Sequence, residues 1–214
     1  KPELLSRIRT HITLAKTTIS YGRFVPHEFL QLLGKEHVVD VELGDHVLMP
    51  HMTVMFCDVR GFTALSERMD AAAVFALLGG LFADISPLIS SHHGFIDKFI
   101  GDAVMALFPT SPGDAAAAAV RIQQAVQARG SPAAAALSVS IGVHTGGTML
   151  GTLGDERRMD ATVISDAVNL ASRLEGLTRT LGSSILLSGD VLSRIDDPGA
   201  AALEPRYLDR KSTR

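Results

Sequence analysis

The sequence predicts an α+β domain on a β-α-β-β-α-β core, its antiparallel sheet carrying both helices on one face. Three features of the pattern support this. Apolar, strand-like runs occupy residues 52–58, 95–100, 103–108 and 137–144, as strands with a covered face require. Helical patterns separate them: 70–94, with Asp70 as its N-cap, and the alanine-rich 114–128. Gly101-Asp102 joins the middle two runs at the spacing of a tight hairpin. This order is the ferredoxin-like supersecondary unit.

The other elements attach to this core. Within 3–20, Leu5, Ile8, Ile12, Ala15 and Ile19 are spaced 3, 4, 3 and 4, the rhythm of a coiled-coil seam or of a helix packed on its own domain. Lys1-Pro2-Glu3-Leu4-Leu5-Ser6-Arg7-Ile8-Arg9-Thr10-His11 resembles the end of a response-regulator receiver domain. That resemblance implies a chain cut from a longer signalling protein, with 1–22 as an N-terminal signalling helix and linker. A short helix over 28–33 follows Pro26 and stops at Gly34; 38–43 reads as a strand and Gly44-Asp45 as a turn. Gly130-Ser131-Pro132 and the alanines after it read as a loop. Gly146-Gly147 reads as a turn, and 148–154 with the polar stretch 155–160 reads as a protruding hairpin arm. A helix from Ser165 or Asp166 to about Leu181 follows. A strand at Ile185–Leu187, a short helix over 191–195 and the start of a strand at 206–209 complete a C-terminal α/β extension.

Size and composition narrow the function. A chain of 214 residues, 46% hydrophobic, suits one generous domain. A net charge of −3 leaves no footprint for nucleic acid, so a phosphorylated ligand needs local cations. No apolar run reaches membrane-span length and no signal peptide opens the chain, so no membrane insertion and a cytoplasmic location are expected. The single cysteine, Cys57, excludes an internal disulfide and reads as a small core residue.

The chemistry gathers at two aspartates. Asp58 ends one strand-like run, before Gly61, and Asp102 precedes another. Alone, each is an ordinary turn residue. As a pair beside glycine and a helix start, they suit hard cations on a polyphosphate, two Mg²⁺ or Mn²⁺. Lys98 interrupts an apolar run, where a structural lysine would have to snorkel to solvent. Asn169 and Arg173 lie one helical turn apart, either as a solvated face or as donors for ribose and phosphate.

Four segments carry a family resemblance. They are Phe24-Val25-Pro26-His27-Glu28-Phe29-Leu30, Phe56-Cys57-Asp58-Val59-Arg60-Gly61-Phe62-Thr63, Asp97-Lys98-Phe99-Ile100-Gly101-Asp102-Ala103-Val104-Met105-Ala106, and Val163-Ile164-Ser165-Asp166-Ala167-Val168-Asn169-Leu170-Ala171-Ser172-Arg173-Leu174-Glu175. In this order and spacing, they resemble the catalytic domain of class III nucleotidyl cyclases, over nearly all of 23–214. The resemblance implies two-metal conversion of ATP to 3′,5′-cyclic AMP and pyrophosphate at a homodimer interface. Asp58, Asp102 and the Val59 carbonyl would bind metal. Backbone N–H groups at Gly61, Phe62 and Thr63 would cradle the β- and γ-phosphates. Lys98 matches the adenine-reading lysine and Thr162 the second base-reading position, as in bicarbonate-responsive cyclases. Asn169 would orient the ribose, and Arg173 would stabilise charge on the α-phosphoryl group.

The lysine- and glycine-rich segment that the family carries after Tyr207 is not matched, since Arg210 leads directly to Lys211-Ser212-Thr213-Arg214. This leaves open which lysine meets the triphosphate. Thr162 discriminates less firmly than the more usual aspartate, so a guanylyl or relaxed-specificity cyclase is the nearest alternative, against which Lys98 argues. A non-catalytic nucleotide-binding module is the alternative of another class. The intact Asp58, Asp102, Asn169 and Arg173 count against it. Palm-type polymerases and diguanylate cyclases share the two-metal logic, but the Asn169–Arg173 helix has no place in them.

Overall fold

The computed structural model describes residues 24–129, 137–155 and 157–195, together with 7, 9–13, 15, 16 and 20 near the N-terminus. Those N-terminal residues are helical and exposed, Ile12 among them. Leu5, Ile8 and Ile19 of the expected seam, the loop at 130–136 and the expected strand at 206–209 lie outside the described residues. The chain divides into two compact units, His51–Gly146 with Asp166–Arg214, and Lys1–Pro50 with Gly147–Ser165.

The larger unit holds the expected core. Strand β1 (His46–Val59) enters it from residue 51, followed by helices α2 (Phe62–Ser66) and α3 (Ala71–Ser90), strands β2 (Phe95–Ile100) and β3 (Ala103–Phe108), and helix α4 (Pro112–Ala128). Strand β4 (Val139–Gly154) leaves it at residue 146, and helix α5 (Asp166–Thr180), strand β6 (Ile185–Leu187) and helix α6 (Gly189–Leu192) complete it. β1 pairs antiparallel with β3 from Thr53↔Phe108 to Cys57↔Val104, and β2 pairs antiparallel with β3 through the Gly101-Asp102 turn. Gly101 takes φ 63°, which glycine adopts without steric cost. β6 adds a parallel strand to β4, pairing Ile141 with Ile185.

Period-two burial builds the core. Met55, Cys57 and Val59 of β1, Val104, Ala106 and Phe108 of β3, and Val139, Ile141 and Val143 of β4 all point to one face. Leu81, Ile85 and Ile89 of α3 cover it, as do Ala115, Ala118, Ala119, Ile122 and Val126 of α4. The alanines let α4 lie close to the sheet. Burial raises the Cys57 thiol pKa far above its usual range, so it stays an unreactive core group. α3 begins at Asp70, whose carboxylate accepts from the Ala73 N–H at 2.8 Å. Against expectation, this 20-residue helix is long and apolar enough for a membrane span, with mean hydropathy 1.9. Its Leu81, Ile85 and Ile89 instead pack into the core, and it carries Asp84.

On the other face, α5 crosses β4 at Gly142. A Cβ there would lie 2.2 Å from the Glu175 backbone nitrogen and 2.3 Å from the Ala171 carbonyl oxygen. Only glycine permits this approach, and it fixes where α5 sits.

In the smaller unit, helix α1 (His27–Leu32) buries Phe29 and Leu30, and the far part of β4 forms a hairpin with strand β5 (Met159–Ile164), pairing Gly151 with Thr162. Two expectations fail here. Residues 38–43 hold a 3-10 turn, Val38–Asp40, because the Asp40 carboxylate accepts from the His37 N–H at 3.1 Å and closes the turn on itself. Gly146-Gly147 is no turn: both residues lie within strand β4. Further along, a Cβ at Gly151 would lie 2.6 Å from the Asp45 carbonyl oxygen, so this glycine serves close strand approach.

Candidate active site

The register that builds the sheet also builds the site. With Cys57 opposite Val104, the next step sets Asp58 beside Ala103, and Asp102 stands in the adjoining turn. Asp58 is about one-fifth exposed and Asp102 half-buried. Burial raises the Asp102 pKa above the ordinary carboxylate range. The Asp58 charge and a hydrogen bond with Asp58 add to this, while Asp102's own backbone N–H and the Arg179 charge oppose it. The two carboxylates therefore share one small space.

Two residues that the sequence reading passed over complete the surroundings. Arg179, on the last turn of α5, places Nη2 2.8 Å from Asp58 Oδ2. Glu175, one turn earlier, has a raised pKa, first through burial and then through Asp58, opposed by Arg179 and Arg60. Its Oε1 is buried without a hydrogen-bond partner. Arg60 is anchored otherwise: Nε donates to Ser140 Oγ at 2.8 Å, and Nη2 donates to the Ser183 carbonyl. It ties the end of β1 to β4 and the start of β6.

Among the described residues, no group of three or more His, Cys, Asp or Glu is disposed around one ion. Asp58 and Asp102 nonetheless fit a divalent cation. They are hard oxygen donors close enough for the Asp58 charge to raise the Asp102 pKa, and a guanidinium already lies against Asp58. Soon after Asp58 the chain turns at Gly61 (φ 71°) into α2, so the free N–H groups of a helix start follow within a few residues of it.

Lys98 projects from β2 opposite Met105, with Nζ 3.3 Å from Asp97 Oδ2. Asn169 and Arg173 lie one turn apart on α5, both exposed, while Ala167, Ala171 and Thr178 face inward. Leu170 and Leu177 are exposed on the same side. Thr162 belongs to the other unit, on β5 opposite Gly151. The larger unit thus holds Asp58, Val59, Gly61, Phe62, Thr63, Lys98, Asp102, Asn169 and Arg173.

The antiparallel βαββαβ core thus sets Asp58 at the end of β1 and Asp102 in the β2–β3 turn. Residues 46–205 match the family described as the adenylate and guanylate cyclase catalytic domain, and the chain belongs to that family. Its relatives include an adenylate cyclase of Anabaena cylindrica, 39% identical over 92% of this chain and 40% of that protein. An adenylate cyclase of Rhizobium meliloti is 33% identical over 68% of this chain and 24% of that protein. The chain therefore spans less than half the length of these relatives. Among solved structures, a bacterial light-regulated adenylyl cyclase superposes with TM-score 0.78 at 26% identity, over 91% of this chain and 58% of that one. The adenylyl cyclase CyaB from P. aeruginosa does so with TM-score 0.55 at 34% identity, over 69% of this chain and 81% of that one.

Proposed function

We propose that the chain is an adenylyl cyclase catalytic domain that converts ATP to 3′,5′-cyclic AMP and pyrophosphate in a homodimer. The carrying observation is the Asp58–Asp102 pair, set together by the β1–β3 register, with the Asp102 pKa raised by burial and by the Asp58 charge. The adenylate cyclases among its relatives support ATP as substrate.

Asp58, Asp102 and the Val59 carbonyl would hold two Mg²⁺ or Mn²⁺ ions, which when bound make the ribose 3′-hydroxyl more acidic and neutralise triphosphate charge. The chain's own groups do the rest. Backbone N–H groups at Gly61, Phe62 and Thr63 bind the β- and γ-phosphates. The Lys98 ammonium donates to adenine N1, and the Thr162 hydroxyl accepts from the adenine amino group. Asn169 fixes the ribose so that its 3′-oxygen is in line with the α-phosphorus. Arg173 stabilises charge there as the new O–P bond forms and pyrophosphate leaves.

Asn169 and Arg173 stand exposed beside Leu170 and Leu177, a face suited to a second copy. In that arrangement one protomer supplies the aspartates and its partner supplies Lys98, Thr162, Asn169 and Arg173, giving two equivalent sites. Residues 1–22 would link an upstream receiver to the catalytic region 23–214, in the cytoplasm. Thr162 makes a bicarbonate response part of the same reading. The receiver link fails if phosphorylated full-length protein turns over no faster than this chain.

Cyclic nucleotide formation from ATP and GTP, with Mg²⁺ or Mn²⁺ over a range of protein concentrations, tests the reading. ATP-selective cyclic AMP formation with specific activity rising on dimerisation supports it. Preference for GTP would make the chain a guanylyl cyclase, and nucleotide binding without product would make it a binding module.

A further inference from the structure

The β2–β3 ladder contains an irregularity that the proposed chemistry leaves unused. Phe95 pairs with Leu107 and Ile96 with Ala106, but the next pair is Lys98 with Met105. Asp97 is thus one extra residue on β2, a bulge in an otherwise regular hairpin. In regular alternation Lys98 would share the face of Ile96 and Ala106, the face packed into the apolar core with α3 and α4. The extra residue turns Lys98 to the opposite face, with Met105 and Leu107, while Phe99 returns to the helix side and stacks on Phe82 with centroids 4.5 Å apart.

The same bulge brings two neighbouring side chains together. The Asp97 side chain is fully buried, and Lys98 Nζ lies 3.3 Å from its Oδ2. Neither Asp97 oxygen makes a well-aligned hydrogen bond. Burial raises the Asp97 pKa, and the Lys98 ammonium opposes that rise. A buried carboxylate so poorly satisfied is a poor choice for holding a strand together, since an apolar residue of similar size would do so at lower cost. What a carboxylate adds here is a fixed anchor for a flexible cation.

We propose that Asp97 is the positioning residue for Lys98, holding its ammonium toward the nucleobase and thereby setting the preference for ATP over GTP. This rests on the adenine-reading role of Lys98 proposed above. Asp97 touches no substrate atom and acts only through Lys98.

The test compares Asp97→Asn, Asp97→Leu, Lys98→Ala and the Asp97→Asn/Lys98→Ala double variant of the whole chain. Readouts are KM and kcat for ATP and for GTP, affinity for a non-cyclisable ATP analogue, and melting temperature. Both Asp97 variants are expected to melt no lower than wild type at neutral pH. KM for ATP should rise and the ATP-to-GTP preference fall by about tenfold, the scale of coupling between residues in contact, with kcat within about twofold. In the Lys98→Ala background, Asp97→Asn should change neither affinity nor preference further. The proposal is overturned if both Asp97 variants, folded, keep wild-type KM and preference, or if Asp97→Asn has its full effect without Lys98. Unchanged preference in Lys98→Ala itself would instead remove the adenine-reading role on which the proposal rests.

Discussion

Gly142→Ala puts the position of α5 to a sharp test. The added Cβ would meet backbone atoms of Glu175 and Ala171 at 2.2 and 2.3 Å, whereas ordinary contact begins near 3.4 Å. The difference, 3.4 − 2.2, means that helix and strand must separate by about 1 Å, because no side chain can swing away. Overpacking of this kind costs about 1–3 kcal/mol, or a fall in melting temperature of roughly 5 °C for a domain of this size. α5 carries Asn169 and Arg173, so a displacement of about 1 Å should also lower kcat by about 10²-fold. Gly79→Ala is the control. It makes the same chemical change at an exposed site in the middle of α3 with nothing within 4 Å, and should stabilise by about 0.5–1 kcal/mol with activity unchanged. Thermal melts and cyclic AMP assays of both variants decide the matter. A Gly142→Ala protein with wild-type melting temperature and kcat would refute the claim that this contact fixes the helix.

Three further outcomes follow from single contacts. Burial lowers the His144 pKa, opposed by Asp190, while its Nδ1 lies 2.8 Å from Ser188 Oγ. A lowered folded-state value means stability is intact above the ordinary histidine pKa of about 6.5 and is lost as pH falls through the folded value. Chemical denaturation between neutral and mildly acid pH should show that loss, and His144→Gln should flatten it. Arg179→Gln removes the guanidinium from Asp58, so Mn²⁺ binding without nucleotide, followed by electron paramagnetic resonance, should tighten several-fold; unchanged or weaker binding would show that Arg179 does not compete with the ion. Leu170→Asp places a charge on the exposed apolar side of α5 and should weaken self-association by about tenfold in sedimentation equilibrium, in the range of interface anchors.

Much of this was legible in the sequence because local rules and tertiary packing agree. The bounds of β2 and β3, the cap at Asp70, the Gly101-Asp102 turn and the strand at Ile185–Leu187 all follow from period and turn chemistry. The misses arise where a distant partner decides. Gly146-Gly147 reads as a turn, yet β4 continues through it because strand pairing overrides the local preference. Asp40 closes a 3-10 turn where three β-branched valines suggest a strand. At the site, Asp58 and Asp102 stand out as a pair, whereas Arg179 reaches Asp58 across 121 residues of sequence with no local mark. The bulge at Asp97 leaves only a faint trace, two adjacent charges in an apolar run.

The shared site is tested most directly by mixing two inactive proteins. Asp58→Ala lacks a group from one side of the proposed site and Arg173→Ala lacks one from the other. Each alone should make almost no cyclic AMP. Mixed in equal amounts, they should recover about a quarter of wild-type activity, because half the dimers are mixed and each mixed dimer has one intact site. Recovery near that level, rising with protein concentration, is the expected result. No recovery from a mixture shown to contain mixed dimers would contradict a site divided between protomers.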